Sequence, residues 1–229
     1  MKGSMQERQS RRNCSKKKSN LVLLFLAMLF IGLSFADAFK WIHPIDVSIS
    51  NFVQSFKNGL LTQVAVFISW FGEAPQGYVM LVLSAVALYV TRLRWEAVVL
   101  IVSNIIAIAS EELIKIIVRS PGPGAPSVPD LIKVTDYTFP SGHVIFYITF
   151  FGLIYYYSIL RMEQKWTKAV LLIPIGILIA LVGVSRVYLL EHWYSDVIGG
   201  YLLGGMILII TILCYKYGIV HNIKLSQRK

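Results

Sequence analysis

The chain has 229 residues, 56% of them hydrophobic, with a mean hydropathy of +0.64 and a net charge of +10. Only 15% are charged, against roughly 25% in a soluble domain, which excludes an ordinary soluble enzyme and points to an integral membrane protein. The two cysteines, Cys14 and Cys214, are too few for a disulfide framework and stand outside metal-ligand spacing.

The first twenty residues hold seven Lys or Arg and one Glu, directly ahead of the apolar stretch 20–39. That placement reads as a cytoplasmic flank under the positive-inside rule and not as a nucleic-acid-binding arm. The stretch is long for a signal peptide and carries no small-x-small cleavage site, so it is expected to remain as a first span. Further segments able to cross a bilayer of about 30 Å lie near 75–91, 96–118, 143–160, 167–187 and 196–215. Segment 47–72 is more mixed. An interfacial helix, a re-entrant piece and a seventh span all fit it, and the first is preferred because a seventh span would reverse the charge pattern that follows. The fold expected is an all-α integral membrane protein, a six-transmembrane-helix bundle with an extra interfacial helix around 47–72. Residues 20–215 form a single membrane domain between basic tails 1–19 and 216–229.

With the N-terminus inside, segments 1–19, 92–95, 161–166 and 216–229, with Lys168 at the edge, collect 16 of the 22 Lys and Arg. Lys40, Lys57, Lys115, Arg119, Lys133 and Arg186 fall on the other side. The asymmetry predicts a multi-pass protein of the cell membrane with both termini cytoplasmic. The long loop 119–142 contains five prolines, which forbid regular structure over much of its length, and loops this long are usually functional or disordered.

Lys115, Arg119, Arg186, His143, His192 and Asp196 all fall at span ends on the outward surface. Snorkelling to the interface explains any one charged residue at a helix end, but is a poor account of three cations, two histidines and an acid converging from four ends. In GVSRVYLLEHWYSD, residues 183–196, a helical end would set His192 and Asp196 at i and i+4, facing each other. A carboxylate on one ring nitrogen fixes the tautomer and frees the other as a nucleophile, although a His beside an Asp is also what a purely structural hydrogen bond looks like. Arg186 offers a planar fork suited to phosphate. In YTFPSGHVIF, residues 137–146, Pro140 suits a helix start, Ser141 is a good N-cap and Gly142 lets a ligand approach the backbone. The N–H groups of that first turn make an anion site, and a capped helix with an interfacial His143 is the plainer alternative. Glu111 stands one turn before Lys115 and can orient it.

PSGH at 140–143 and SR-x5-H-x3-D at 185–196, preceded by a Lys…Pro segment, resemble the motifs of the type 2 phosphatidic acid phosphatase superfamily, whose members include bacterial lipid phosphatases and soluble vanadium haloperoxidases. The resemblance covers about 110–200 by motif. Its second and third motifs are complete here. The first departs from the family pattern K-x6-R-P. In KIIVRSPGP, starting at Lys115, Pro123 stands on the family proline but Gly122 on the arginine, and Arg119 is expected to substitute for it.

The resemblance implies a membrane phosphatase acting on a lipid phosphate monoester or diphosphate at the extracytoplasmic face. Candidate substrates are phosphatidylglycerol phosphate, phosphatidic acid or a polyprenyl diphosphate. His192 would be the nucleophile, Asp196 its partner and His143 the acid and base. Lys115, Arg119, Ser141, Gly142 and Arg186 would bind the phosphate. No cofactor or metal is implied, since the cations neutralise the phosphate and the chain lacks a carboxylate cluster for Mg²⁺. The partners implied are the lipid substrate and membrane lipids, with no nucleic acid, and the oligomeric state is left open. A phosphotransferase using the same histidine is the nearest alternative. A transporter or a non-catalytic protein with a relic site is the alternative from another class.

Overall fold

In lipid a backbone can satisfy its polar groups only within itself, and this chain does so with helices. The computed structural model describes residues 2–124 and 137–226, with side chains described over 17–124 and 137–216. Lys133, the side chain of Cys14, most of the N-terminal basic tail and nearly all side chains of the C-terminal one lie outside those residues. The elements are α1 (Lys2–Ala38), α2 (His43–Gln54), α3 (Gly59–Trp70), α4 (Gln76–Val90), α5 (Arg94–Val118), α6 (Gly142–Arg161), α7 (Lys165–Tyr188) and α8 (Tyr194–Ser226). Among the described residues there is no strand, only an isolated bridge between Pro121 and Tyr137. With Thr138 N–H donating to the Ser120 carbonyl at 3.0 Å, it ties together the two ends of the long loop.

Among the described residues, five segments are long and apolar enough to cross a membrane: Lys17–Ala38, Arg94–Val118, Gly142–Arg161, Lys165–Tyr188 and Tyr194–Lys216. Leu21, Phe25, Ile105, Ile117 and Ile177 stand exposed on them, as side chains facing hydrocarbon would. The sixth expected span, 75–91, is α4, a helix of 15 residues. At 1.5 Å per residue it reaches about 22 Å, short of a bilayer core of about 30 Å.

Segment 47–72 is two helices, not the one interfacial helix expected. The break has a local cause. Asn58 is extended, and its side-chain oxygen accepts the Leu61 N–H at 2.9 Å, capping α3. The break is also held from outside, because the Tyr188 hydroxyl accepts the Asn58 N–H at 3.0 Å and the Gln54 amide donates to the Tyr188 carbonyl at 2.8 Å. Both α2 and α3 are thereby anchored to the end of α7.

Helix α6 is the most enclosed span. It carries a π turn at Tyr147–Phe151, a feature that often lies near functional sites. Small residues bring α8 against it. A Cβ on Gly200 would stand 2.9 Å from the Ser141 carbonyl oxygen, and one on Gly199 would meet the Phe139 ring at 2.7 Å. At the opposite end of the bundle, buried Glu96 accepts the Tyr215 hydroxyl at 2.6 Å and pairs with Arg161. Trp41, Trp95 and Trp166 are exposed at helix ends, where an interfacial belt requires them.

Candidate active site

Up-and-down connectivity brings the ends of α5 and α7 and the starts of α6 and α8 to one face of the bundle. Lys115 is in the last turn of α5 and Arg186 in that of α7. Ser141 precedes the first residue of α6, and Asp196 is in the first turn of α8. His192 lies in the short link between α7 and α8. Lys115, Gly142, His143 and His192 line one cavity of about 320 Å³, with Glu73 and Glu111.

His192 and Asp196 meet as the spacing predicts, with Nδ1 3.3 Å from Oδ2. The same carboxylate oxygen accepts the Trp193 N–H at 2.9 Å, so the carboxylate is fixed before it orients the imidazole. His192 is 8% exposed. Burial, reinforced by the nearby charges of Arg186 and Lys115 and opposed by a backbone contact from Thr138, pushes its pKa down to about 3. The ring is therefore neutral at physiological pH, the form a nucleophile needs.

The start of α6 differs in one respect from expectation. The Ser141 N–H is not free for an anion, because it donates to the Asp196 carbonyl at 3.0 Å. That bond locks the Pro-Ser-Gly-His turn onto the His192–Asp196 turn. The Ser141 hydroxyl is fully buried and has no hydrogen-bond partner, which leaves it as the group this residue can offer a ligand. A Cβ on Gly142 would fall 2.2 Å from a Glu111 carboxylate oxygen, so a larger residue there would displace the end of that side chain. The expected pairing of Glu111 with Lys115 is present at 2.5 Å.

Arg186 is 3% exposed and meets two acids. Nη1 is 3.1 Å from Glu73 Oε1, Nη2 pairs with Glu191, and Nε is unpartnered. Ser185 of the same motif turns away to hydrogen-bond Ser69 at 3.0 Å. Arg119 caps α5 with left-handed backbone (φ 56°), and its exposed Nε donates to the Ile116 carbonyl at 3.1 Å. It is not among the residues lining the cavity. Among the described residues, no three His, Cys, Asp or Glu side chains are arranged to hold a metal ion.

Sequence reasoning missed several participants. Glu73, in the link between α3 and α4, also stands 3.2 Å from His143 Nε2. Its neighbour Gly72 lies so close that a Cβ would meet the His143 ring at 2.6 Å. Asp46 of α2 receives both the N–H and the hydroxyl of Ser195 at 2.8 Å, and Asp37 of α1 accepts the same hydroxyl at 3.0 Å. The start of α8, and with it Asp196, is thus seated on two buried acids. Burial raises the Asp46 pKa above the usual aspartate value, against the lowering effect of the Ser195 bonds. The only sequence signal for Glu73 is its place in FGEAP, a Gly- and Pro-marked turn between apolar segments.

Residues 96–219 match the model of the PAP2 superfamily. The chain is 33% identical over 171 residues to the undecaprenyl-diphosphatase of Sulfolobus acidocaldarius, covering 73% of this chain and 75% of that one. It is 25% identical over 182 residues to phosphatidylglycerophosphatase B of Bacillus subtilis, covering 78% and 87%. The crystal structure of a transmembrane PAP2-type phosphatidylglycerolphosphate phosphatase from Bacillus subtilis superposes with a TM-score of 0.74 at 22% identity, over 85% of this chain and 96% of that one. With Gly142, His143 and His192 of the two complete motifs lining one pocket, and Asp196 and Ser141 bonded directly behind them, the chain belongs to the PAP2 superfamily.

Proposed function

We propose that this protein hydrolyses a lipid phosphate monoester or diphosphate through a phosphohistidine at His192. The observation that carries the reading is the buried, neutral His192 held by Asp196 at 3.3 Å, in the same cavity as His143 and Lys115. His192 attacks phosphorus in line through its free nitrogen. A P–N bond forms as the P–O bond to the leaving group breaks, and His143 gives that oxygen its proton. His143 then takes a proton from water, whose oxygen displaces His192 and releases inorganic phosphate.

Lys115, Arg186, the Gly142 N–H and the Ser141 hydroxyl neutralise the equatorial oxygens. Arg119, one turn beyond Lys115, is assigned the remaining phosphate contact, made when its side chain leaves the Ile116 carbonyl. Arg119→Ala then lowers kcat/KM about tenfold or more, the scale of one charge-assisted contact. An unchanged value removes Arg119 from the site.

The likeness to an undecaprenyl-diphosphatase and to a phosphatidylglycerophosphatase supports a polyprenyl diphosphate or a phosphatidylglycerol phosphate as substrate, with phosphatidic acid a third candidate. The positive-inside asymmetry supports a cell-membrane protein with both termini cytoplasmic and the site facing outward. In that arrangement α2 and α3 lie toward the outer interface, and Gln76–Val90 returns the chain across a bilayer thinned locally to match its short apolar length. The reaction needs no metal, so turnover survives EDTA, and activity lost on chelation and restored by a divalent ion would remove that part of the mechanism. The deciding experiment is phosphate release from a panel of lipid phosphates in detergent, with His192→Ala protein as blank. Inorganic phosphate as product identifies hydrolysis, whereas a newly phosphorylated lipid identifies phosphotransfer.

A further inference from the structure

The cavity assigned to phosphate is already occupied, by the protein's own carboxylates. Glu111 lies 2.5 Å from Lys115 and against Gly142 at the start of α6. Glu112 is 3.7 Å from Lys115. Glu191 pairs with one arm of the Arg186 fork, and Glu73 is 3.1 Å from the other. Two permanent cations, Lys115 and Arg186, therefore face four carboxylates. A phosphate dianion cannot enter such a site favourably unless a carboxylate gives up its contacts, because like charges at these distances repel by several kcal/mol at intermediate dielectric.

Glu73 is the one whose geometry fits exchange. A single oxygen, Oε1, accepts from Arg186 Nη1 at 3.1 Å and lies 3.2 Å from His143 Nε2, which has no hydrogen-bond partner of its own. An oxygen bridging the fork of an arginine and a ring nitrogen is the contact a bound phosphate would make with the same two groups. Glu73 is also 45% exposed and sits on the short link between α3 and α4, so it can swing outward without disturbing a helix. Glu111, at 14% exposed and one helical turn from its lysine, is far more constrained. Arg186 meanwhile keeps a buried, unpartnered Nε, a donor left for a ligand larger than one carboxylate.

Resting on the phosphatase reading above, we propose that Glu73 is an exchangeable internal anion. It occupies the place of a phosphate oxygen in the empty site and sets the affinity for substrate and product phosphate by competing for Arg186 and His143. Glu73 thus pre-arranges the two groups in the absence of substrate, and it assists the departure of inorganic phosphate by returning to them.

The test is inhibition of lipid-phosphate hydrolysis by inorganic phosphate and by orthovanadate, in wild-type protein and in Glu73→Gln, Glu73→Asp and Glu112→Gln variants. Glu73→Gln is expected to lower both inhibition constants about tenfold, the difference between a charge-assisted and a neutral competing contact. Glu73→Asp, which keeps the charge but retracts it by one methylene, should move them in the same direction by less. Glu112→Gln removes an equal charge from the cavity wall without freeing Arg186, and should change them less than about threefold. Equal effects of Glu73→Gln and Glu112→Gln would reduce the observation to general electrostatics and overturn the proposal. A fall in kcat with unchanged inhibition constants would make Glu73 a fixed orienting partner of His143, and would overturn it equally. Wild-type protein that releases phosphate from no lipid phosphate overturns the underlying reading itself. An active wild type with unaltered constants in Glu73→Gln overturns this inference alone.

Discussion

His192→Ala is expected to abolish phosphate release, lowering kcat by at least about a thousandfold, as loss of a covalent nucleophile does in enzymes whose residues act as a unit. Under the proposed mechanism the substitution removes the atom that would form the P–N bond, and no neighbour is placed to replace it. His143 lies in the same cavity but has no carboxylate on Nδ1 comparable to Asp196 among its described contacts. Wild-type protein quenched in alkali during turnover should carry an acid-labile phosphoryl group that the His192→Ala protein lacks. The thermal midpoint in detergent checks that the variant is folded. A folded His192→Ala protein retaining more than about a tenth of wild-type activity would rule out the phosphohistidine, and direct attack by water activated by His143 would take its place.

The second large effect is expected at Asp196. Its side chain is fully buried, and Oδ2 accepts the Trp193 N–H at 2.9 Å while facing His192 Nδ1. Asn has the same shape and can keep its oxygen on the Trp193 N–H. Its amide N–H₂ then takes the place of Oδ1, which has no hydrogen-bond partner, and the neutral oxygen left beside Nδ1 orients and polarises the ring more weakly than the carboxylate does. The substitution also removes the negative charge that stabilises the imidazolium-like phosphohistidine. Carboxylate-to-amide replacement behind a catalytic histidine costs roughly 10⁴ in kcat in the best-studied hydrolytic triad, and a fall of roughly 10³ to 10⁴ is expected here. KM should stay close to its wild-type value, because Asp196 does not touch the phosphate. A loss confined to KM, or a collapse of the thermal midpoint matching the loss of activity, would make Asp196 a structural acid only.

These two effects rest on residues that the sequence places four apart, and that is why they were readable. An i, i+4 pair at a helix start needs no tertiary information to be brought together. The same holds for Glu111 with Lys115, and for the Pro140–His143 turn before an apolar run. Conversely, the Ser141 N–H was expected to face an anion and instead bonds the Asp196 carbonyl, 55 residues further on. Nothing local to PSGH specifies that partner. It follows from the close approach of α8 to the start of α6 over Gly199, Gly200 and Gly204.

Glu73 illustrates the limit most plainly. It is 70 residues from His143 and 113 from Arg186 in sequence, and only the link between α3 and α4, held over the site by the packing of α3 on α7, brings it there. Asp37 and Asp46 reach Ser195 across about 150 residues for the same reason. By itself the sequence determined the membrane class, five of the expected spans and the members of both complete motifs. Hydrophobic length, charge placement and short-range spacing are properties of the chain before it folds. Tertiary structure alone decided the docking of α2 and α3 on the end of α7, the bonding of Ser141 and the carboxylates that pair with Lys115 and Arg186 across the site. Each of those depends on which helix ends pack together, and a buried ion pair or hydrogen bond between distant segments leaves no periodic trace in either one.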